Sequence, residues 1–273
     1  MNNFTQRLIF GLLYAMVVLF GAYFGNVTLY LVFFVFMIFC LYEFLRLIDL
    51  KSGYPYLLAV ASYLIAIISN EDAHTKDNIL INKILFSIIA AALYFTFISA
   101  LISSRKISIQ YLGKIFLSLI YVILPFSFLI KIPYLNTSIE YDYVVIVGIF
   151  VLIWSNDVFA YLIGKNFGKH KLIERVSPNK TIEGFIGGFV FTYIAGFFIS
   201  VYCYSLLSYQ WLGIAIIVSV FGVLGDLIES MFKRQAGVKD SSNFIPGHGG
   251  FLDRLDSIIF ATPFIFIYLY LTA

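Results

Sequence analysis

Long apolar runs, separated by short polar stretches, fill this chain. A helix needs about 20 apolar residues to cross the hydrocarbon core of a bilayer, and runs of that order recur from Leu8 to the C-terminus. Nine spans are expected, at residues 8–24, 27–47, 56–69, 79–103, 109–130, 143–163, 181–204, 211–232 and 257–271. The third is the shortest. Arg7 precedes the first run as in a secretory signal, but no small-x-small cleavage site follows, so the run is kept as a span. The fold expected is an all-α, polytopic integral membrane protein forming one integrated domain. Residues 1–142 would supply an N-terminal scaffold of about five helices. Residues 143–273 would supply a catalytic region of about four helices with cytoplasmic loops.

Composition leaves little room for a soluble alternative. The chain has 273 residues, 61% of them hydrophobic and 12% charged, against roughly 25% charged in soluble domains. Its mean hydropathy is +0.94. Cys40 and Cys203 lie in apolar runs without CxxC spacing and read as small buried or lipid-facing residues. His74, His170 and His248 form no zinc pattern.

Charge sets the expected orientation. Under nine spans, Arg7, Arg46, Lys51, Arg105, Lys106, Lys165, Lys169, Lys171, Arg175, Lys180, Lys233, Arg234, Lys239 and Arg254 fall on one side. The other side holds Lys76, Lys83 and Lys131 with the acids Glu71, Asp72, Asp77, Glu140 and Asp142. The positive-inside rule then puts the N-terminus in the cytoplasm and the C-terminus outside. Omitting the short third span would set Arg7 and Arg46 opposite the later basic loops, so charge parity supports keeping it.

Acids inside a membrane are costly and mark candidate sites. In the first five spans Glu43 is the one clear case, and it reads as a local partner of Arg46 one turn away. The last four spans contain or border Asp157, Glu183, Asp226 and Glu229, so chemistry is expected in the C-terminal half. Asp226, Glu229, Ser230 and Lys233 share one helical face. They read either as an interfacial ion-pair group or as part of a site. Next comes a stretch with Lys233, Arg234, Lys239, Asp240, His248, Gly249, Gly250, Asp253, Arg254 and Asp256. Glycines let backbone N–H groups approach an anion, and Lys and Arg supply charge for phosphates. Asp253 and Asp256 are hard oxygen ligands at i,i+3, suited to Mg²⁺. His248 reads as a donor to phosphate, with a general-base or structural role left open. Together these describe phosphoryl or nucleotidyl transfer. A second group comprises Asn156, Asp157, Ser177, Asn179, Lys180, Thr181 and Glu183. Pro178 stands before a helix with Ser177 or Asn179 as its cap, which reads as a phosphate cradle or an ordinary capped helix.

At these residues the sequence resembles the phosphatidate cytidylyltransferase (CDP-diacylglycerol synthase) family. Its signature S-x-x-K-R-x4-K-D, followed by P-x-H-G-G-x-x-D-R-x-D, is met by Ser230, Lys233, Arg234, Lys239, Asp240, Pro246, His248, Gly249, Gly250, Asp253, Arg254 and Asp256. The stretches Gly225–Ser230, Ser177–Gly184 and Asn156–Asp157 resemble it too, so the likeness is strong over residues 150–273. The resemblance implies transfer of CMP from CTP to phosphatidic acid with Mg²⁺, K⁺ being the candidate second cation. It implies Asp226 and Asp253 as metal ligands with Glu229 and Asp256 near them. Lys233, Arg234, Lys239, Arg254 and His248 would hold phosphates. Asn156, Asp157, Ser177, Asn179, Lys180, Thr181 and Glu183 would shape the nucleotide end, and Ser230, Gly249 and Gly250 would border the substrates. It implies a multi-pass plasma (inner) membrane enzyme facing the cytoplasm, with room for a homodimer and no nucleic-acid partner. A CTP-dependent transferase of another lipid phosphate, of isoprenoid type, and a cation-coupled transporter are the rival readings.

Overall fold

The computed structural model describes residues 3–71, 109–135, 141–245 and 249–272. The span expected at 79–103 lies outside them, as does His248. Eight helical segments carry the described chain: α1 (Asn3–Tyr23), α2 (Asn26–Leu47), α3 (Tyr54–Glu71), α4 (Ile109–Tyr134), α5 (Tyr143–Phe167), α6 (Ile182–Tyr202), α7 (Ser208–Gln235) and α8 (Leu252–Thr272). Among them, α2, α4, α5, α6, α7 and α8 are long and apolar enough to cross a membrane, and α1 and α3 carry shorter apolar stretches. Leu12, Met16, Phe20, Ile186, Val190 and Phe197 are exposed, a surface fit for lipid rather than water. The chain is a helical integral membrane protein.

Hydrogen bonds sort the helix ends into two groups. At one end Lys131 Nζ donates to Ser69 Oγ (2.6 Å), Asn70 Nδ2 to the Ile130 carbonyl (3.0 Å), and Gln210 Nε2 to the Thr272 carbonyl (3.1 Å). At the other, Ser52 Oγ meets Tyr111 OH (2.9 Å) and Lys114 Nζ donates to the Asp49 carbonyl (3.0 Å). Thus α3 and α4 both start at this second end and run parallel, and α8 finishes at the first. Among the described residues, Lys131 is the basic residue of the first end; the others with described side chains gather toward the second.

Two helices contain a widened π turn, at Leu119–Ile123 in α4 and Val218–Gly222 in α7. The first precedes Pro125, which lacks the N–H that would continue the α ladder. Helix α6 buries a stripe of small residues, Gly184, Gly188, Thr192, Gly196 and Ser200, spaced by one turn. Small residues let membrane helices approach closely. A methyl on Gly188 would meet Asn156 Oδ1 at 2.8 Å and Ala160 Cβ at 3.0 Å of α5. Trp211, wholly buried, donates through Nε1 to the Cys203 carbonyl at 3.3 Å. Neither cysteine forms a disulfide.

The described fold is helical as expected, with one small addition: β1 (Lys171–Ile173) and β2 (Ser177–Thr181) pair antiparallel between α5 and α6. Two expectations need correction. Ser177 precedes a proline, which drives it to extended backbone, so neither it nor Asn179 caps the helix. Thr181 is the cap, its Oγ1 accepting from Gly184 N at 3.1 Å. Helix α8 starts at Leu252, earlier than residue 257, so Asp253 and Asp256 lie in its opening turns. Hydropathy reads these acids as loop, whereas the first turn of a helix favours carboxylates.

Candidate active site

Around β2 and the start of α6, Glu183 ties the hairpin to the helix. Its Oε2 accepts from Lys169 N (3.0 Å) and His170 N (3.2 Å), and Oε1 meets His170 Nδ1 at 2.6 Å. With the hairpin fixed, Lys180 reaches across to α7, its Nζ 2.5 Å from Asp226 Oδ2. Asn156, on α5, is almost wholly buried, and its Oδ1 has no hydrogen-bond partner.

The acids come from α7 and α8. Gly225 permits their approach: a methyl there would lie 2.6 Å from the Asp256 carbonyl oxygen and 2.7 Å from Phe260 Cβ. Across this contact Asp226, Glu229 and Asp256 present carboxylate oxygens within 4.8 Å of one another. At that spacing two ionised carboxylates repel by about 3.5 kcal/mol at an effective dielectric of 20. Ser230 Oγ donates to Asp226 Oδ1 (3.3 Å), and Ser257 N to Asp256 Oδ1 (2.7 Å). Lys233 Nζ lies 2.6 Å from Glu229 Oε2 without hydrogen-bond direction, so both buried Glu229 oxygens lack a hydrogen bond. Three carboxylates this close, two of them buried and Glu229 without a hydrogen bond, have the hard oxygen donors to hold a metal ion such as Mg²⁺.

Asp253 stands beside this trio and is held differently. Its Oδ1 accepts from Lys233 Nζ at 2.6 Å. Its Oδ2 takes Ser241 N (3.0 Å), Ser241 Oγ (2.8 Å) and Gly250 N (2.7 Å). Gly249 has φ +81°, and a methyl there would meet Asp253 Oδ2 at 2.5 Å, so glycine suits this turn on two counts.

Glu43 departs most from expectation. It does not serve as a local partner of Arg46, which instead lies 5.8 Å above the Tyr42 ring. It is fully buried and accepts from Ser241 Oγ (2.8 Å), Ser242 Oγ (2.6 Å), Phe251 N (3.0 Å) and Leu252 N (2.8 Å). Spacing favours the near neighbour, and partners some two hundred positions away leave no local pattern. The available signal was the cost of a lone acid in an apolar span.

These groups border a cavity of about 900 Å³, within the range of small-ligand sites. Asn156, Asp157, Ser177, Asn179, Lys180, Thr181, Asp226, Asp253, Arg254 and Asp256 line it. So do Phe10, Tyr14 and Lys165, none of them a site residue expected from the sequence, and α1 thereby borders the cavity. Glu183, Glu229, Ser230, Lys233, Gly249 and Gly250 are not among the lining residues. Arg234 and Lys239 are exposed and off the lining, Arg234 Nη1 donating to the Val238 carbonyl at 3.2 Å.

Acids set beside Lys165, Lys180 and Arg254 among apolar helices form a candidate site with the chemistry to hold an anionic, phosphate-bearing ligand. Comparison with known proteins narrows it. The model of the cytidylyltransferase family matches residues 5–272. A phosphatidate cytidylyltransferase of Bacillus subtilis (strain 168) is 35% identical over 274 residues, covering 98% of each chain. One of Staphylococcus aureus (strain COL) is 50% identical over 121 residues, 44% of this chain and 46% of that protein. Another of Staphylococcus haemolyticus (strain JCSC1435) is 49% identical over 124 residues, again covering 44% and 46%. The chain belongs to the cytidylyltransferase family, and the match extends through the N-terminal half, beyond the strong likeness over residues 150–273.

Proposed function

We propose that this protein transfers CMP from CTP to phosphatidic acid, giving CDP-diacylglycerol and pyrophosphate. The observation that carries the reading is the convergence of Lys180, Asp226, Asp253, Arg254 and Asp256 on one cavity at the basic end of an apolar bundle. The names of the bacillary and staphylococcal relatives support the same substrates. A phosphatidate phosphate oxygen attacks the α-phosphorus of CTP, forming a P–O bond. The bond from the α-phosphorus to the bridging oxygen breaks, and pyrophosphate leaves with that electron pair. A phosphomonoester is largely dianionic near pH 7 (second pKa about 6), so its attack needs no strong base.

Asp226, Glu229 and Asp256 would hold Mg²⁺, and Asp253 would join them by exchanging one of its present donors. Bound there, the ion would supply Lewis-acid charge to the nucleotide phosphates; K⁺ is the candidate companion. Lys180 and Arg254 would bind phosphate oxygens and steady charge on the leaving group. Asn156, Asp157, Ser177, Asn179 and Thr181 would line the nucleotide end. Lys233 and Ser230 would orient the acids, and Gly249 and Gly250 would shape the turn before α8. Phosphate contacts by His248, Arg234 and Lys239 belong to the family resemblance alone.

Charge asymmetry, and the parallel run of α3 and α4, support nine spans with the site and N-terminus cytoplasmic and the C-terminus outside. That orientation gives CTP direct access and leaves the lipid tails in the bilayer of the plasma membrane. A homodimer is compatible with it. The test uses the purified protein in liposomes with labelled CTP, phosphatidate and Mg²⁺. CDP-lipid and pyrophosphate should form in equal amounts. A polyprenyl phosphate arm reports acceptor choice, and absence of CDP-diacylglycerol would overturn the proposal.

A further inference from the structure

We propose that Glu43 is a positioning residue for the transfer reaction, a clamp on α2 that fixes the start of α8 and so the reach of Asp253, Arg254 and Asp256. This rests on the function proposed above. Each Glu43 oxygen takes one hydroxyl and one backbone N–H: Oε1 from Ser242 and Phe251, Oε2 from Ser241 and Leu252. The two backbone donors lie at the opening of α8, where N–H groups have no partner within the helix and the dipole favours an anion. Charge-assisted bonds of this kind are roughly twice as strong as neutral ones.

The clamp also touches the chemistry through one atom. Ser241 Oγ lies 2.8 Å from Glu43 Oε2 and 2.8 Å from Asp253 Oδ2. A hydroxyl has one proton, so the two carboxylates compete for it. When Glu43 holds that proton, Asp253 Oδ2 keeps only the Ser241 and Gly250 backbone donors. Gly250 has no room for a side chain, because Ser241 Oγ and the Glu43 carboxylate fill the space. One turn before Glu43, Phe39 stacks on Phe251 (centroids 4.7 Å apart, 15° between planes) and meets Phe244 edge-on at 5.5 Å. The same face of α2 therefore grips the chain before α8 by charge and by aromatic contact.

The full-length protein in lipid nanodiscs provides the test, as wild type, Glu43→Gln, Glu43→Asp and Ser242→Ala. Gln keeps the volume but turns an amide donor toward a backbone N–H. Turnover per folded molecule should fall about 100-fold, with KM for CTP changed less than about threefold. The Phe251 and Leu252 amides, followed by hydrogen exchange without substrate, should open at least about tenfold faster. Glu43→Asp should recover part of both losses, and Ser242→Ala, lacking one donor of four, should show both effects more weakly. Unchanged exchange in Glu43→Gln would overturn the clamp, and fast exchange with unchanged turnover would overturn its part in the reaction. If Glu43→Gln does not fold, Ser242→Ala decides, and wild-type exchange and turnover in it would overturn the proposal. If the wild type makes no CDP-lipid, the proposed function fails by itself, while amide exchange still judges the clamp.

Discussion

Substituting Gly225 by alanine tests whether the approach of α7 to α8 sets the acid cluster. The added methyl would lie 2.6 Å from the Asp256 carbonyl oxygen and 2.7 Å from Phe260 Cβ. Neither neighbour is the flexible tip of a side chain, so the helices must part. Restoring ordinary contact requires an opening of roughly 0.8 Å at this level. Asp226 is the next residue on α7, and Asp256 carries the carbonyl that is struck, so the opening falls on the acid trio itself. Overpacking of this size costs about 1–3 kcal/mol of stability. A misplacement approaching 1 Å can cost about 100-fold in rate. CMP transfer is therefore expected to drop by about 10- to 100-fold, with a modest fall in thermal midpoint, both measured on nanodisc-embedded protein. Gly113→Ala is the internal control. Nothing lies within 4 Å of its added methyl, so it should gain up to about 1 kcal/mol of helix stability and keep full activity. Wild-type turnover in Gly225→Ala would refute the reasoning that this contact sets the site.

Asp226→Asn should lower CMP transfer by at least about 100-fold, while membrane insertion, followed by fractionation and gel filtration, stays normal. Lys233→Met removes the cation shared by Glu229 and Asp253 and leaves buried acids uncompensated, which should cost about 3–5 kcal/mol in a thermal or denaturant melt. Lys233→Arg should recover part of that. Thr181→Ala removes the cap of α6 and should cost about 1 kcal/mol, with Thr181→Ser near wild type in the same melt.

The spans were legible because hydropathy is a sum over many residues, and six of the described helices have membrane-crossing length where apolar runs predicted them. Asp226 was legible because an acid within an apolar span carries information singly, and Asp253 and Asp256 because a short glycine-rich stretch concentrates acids and bases there. The start of α8 was hidden for the same reason, since two carboxylates in a first turn read as loop. The β hairpin was hidden because Ser-Pro-Asn-Lys-Thr is equally good chemistry for a helix entry, and pairing with Lys171–Ile173 is what makes it a strand. Glu43 was seen as costly but given a near neighbour, because sequence distance says nothing about a donor set drawn from Ser241, Ser242, Phe251 and Leu252.

The placing of these acids also involves contacts from the N-terminal half. Helices α7 and α8 bring Asp226, Glu229 and Asp256 together, and any two of them that are ionised repel. Lys180 from the hairpin and Lys233 from α7 oppose that repulsion. Contacts that fix the backbone of α8 help to hold the arrangement. Its opening turn is anchored by α2 through Glu43, and Tyr14 OH of α1 donates to the Arg254 carbonyl at 3.4 Å. A catalytic region reduced to residues 143–273 would keep the acids and lose both anchors. Contacts from the first half thus hold the helix that carries Asp253, Arg254 and Asp256, although most residues lining the cavity come from the second.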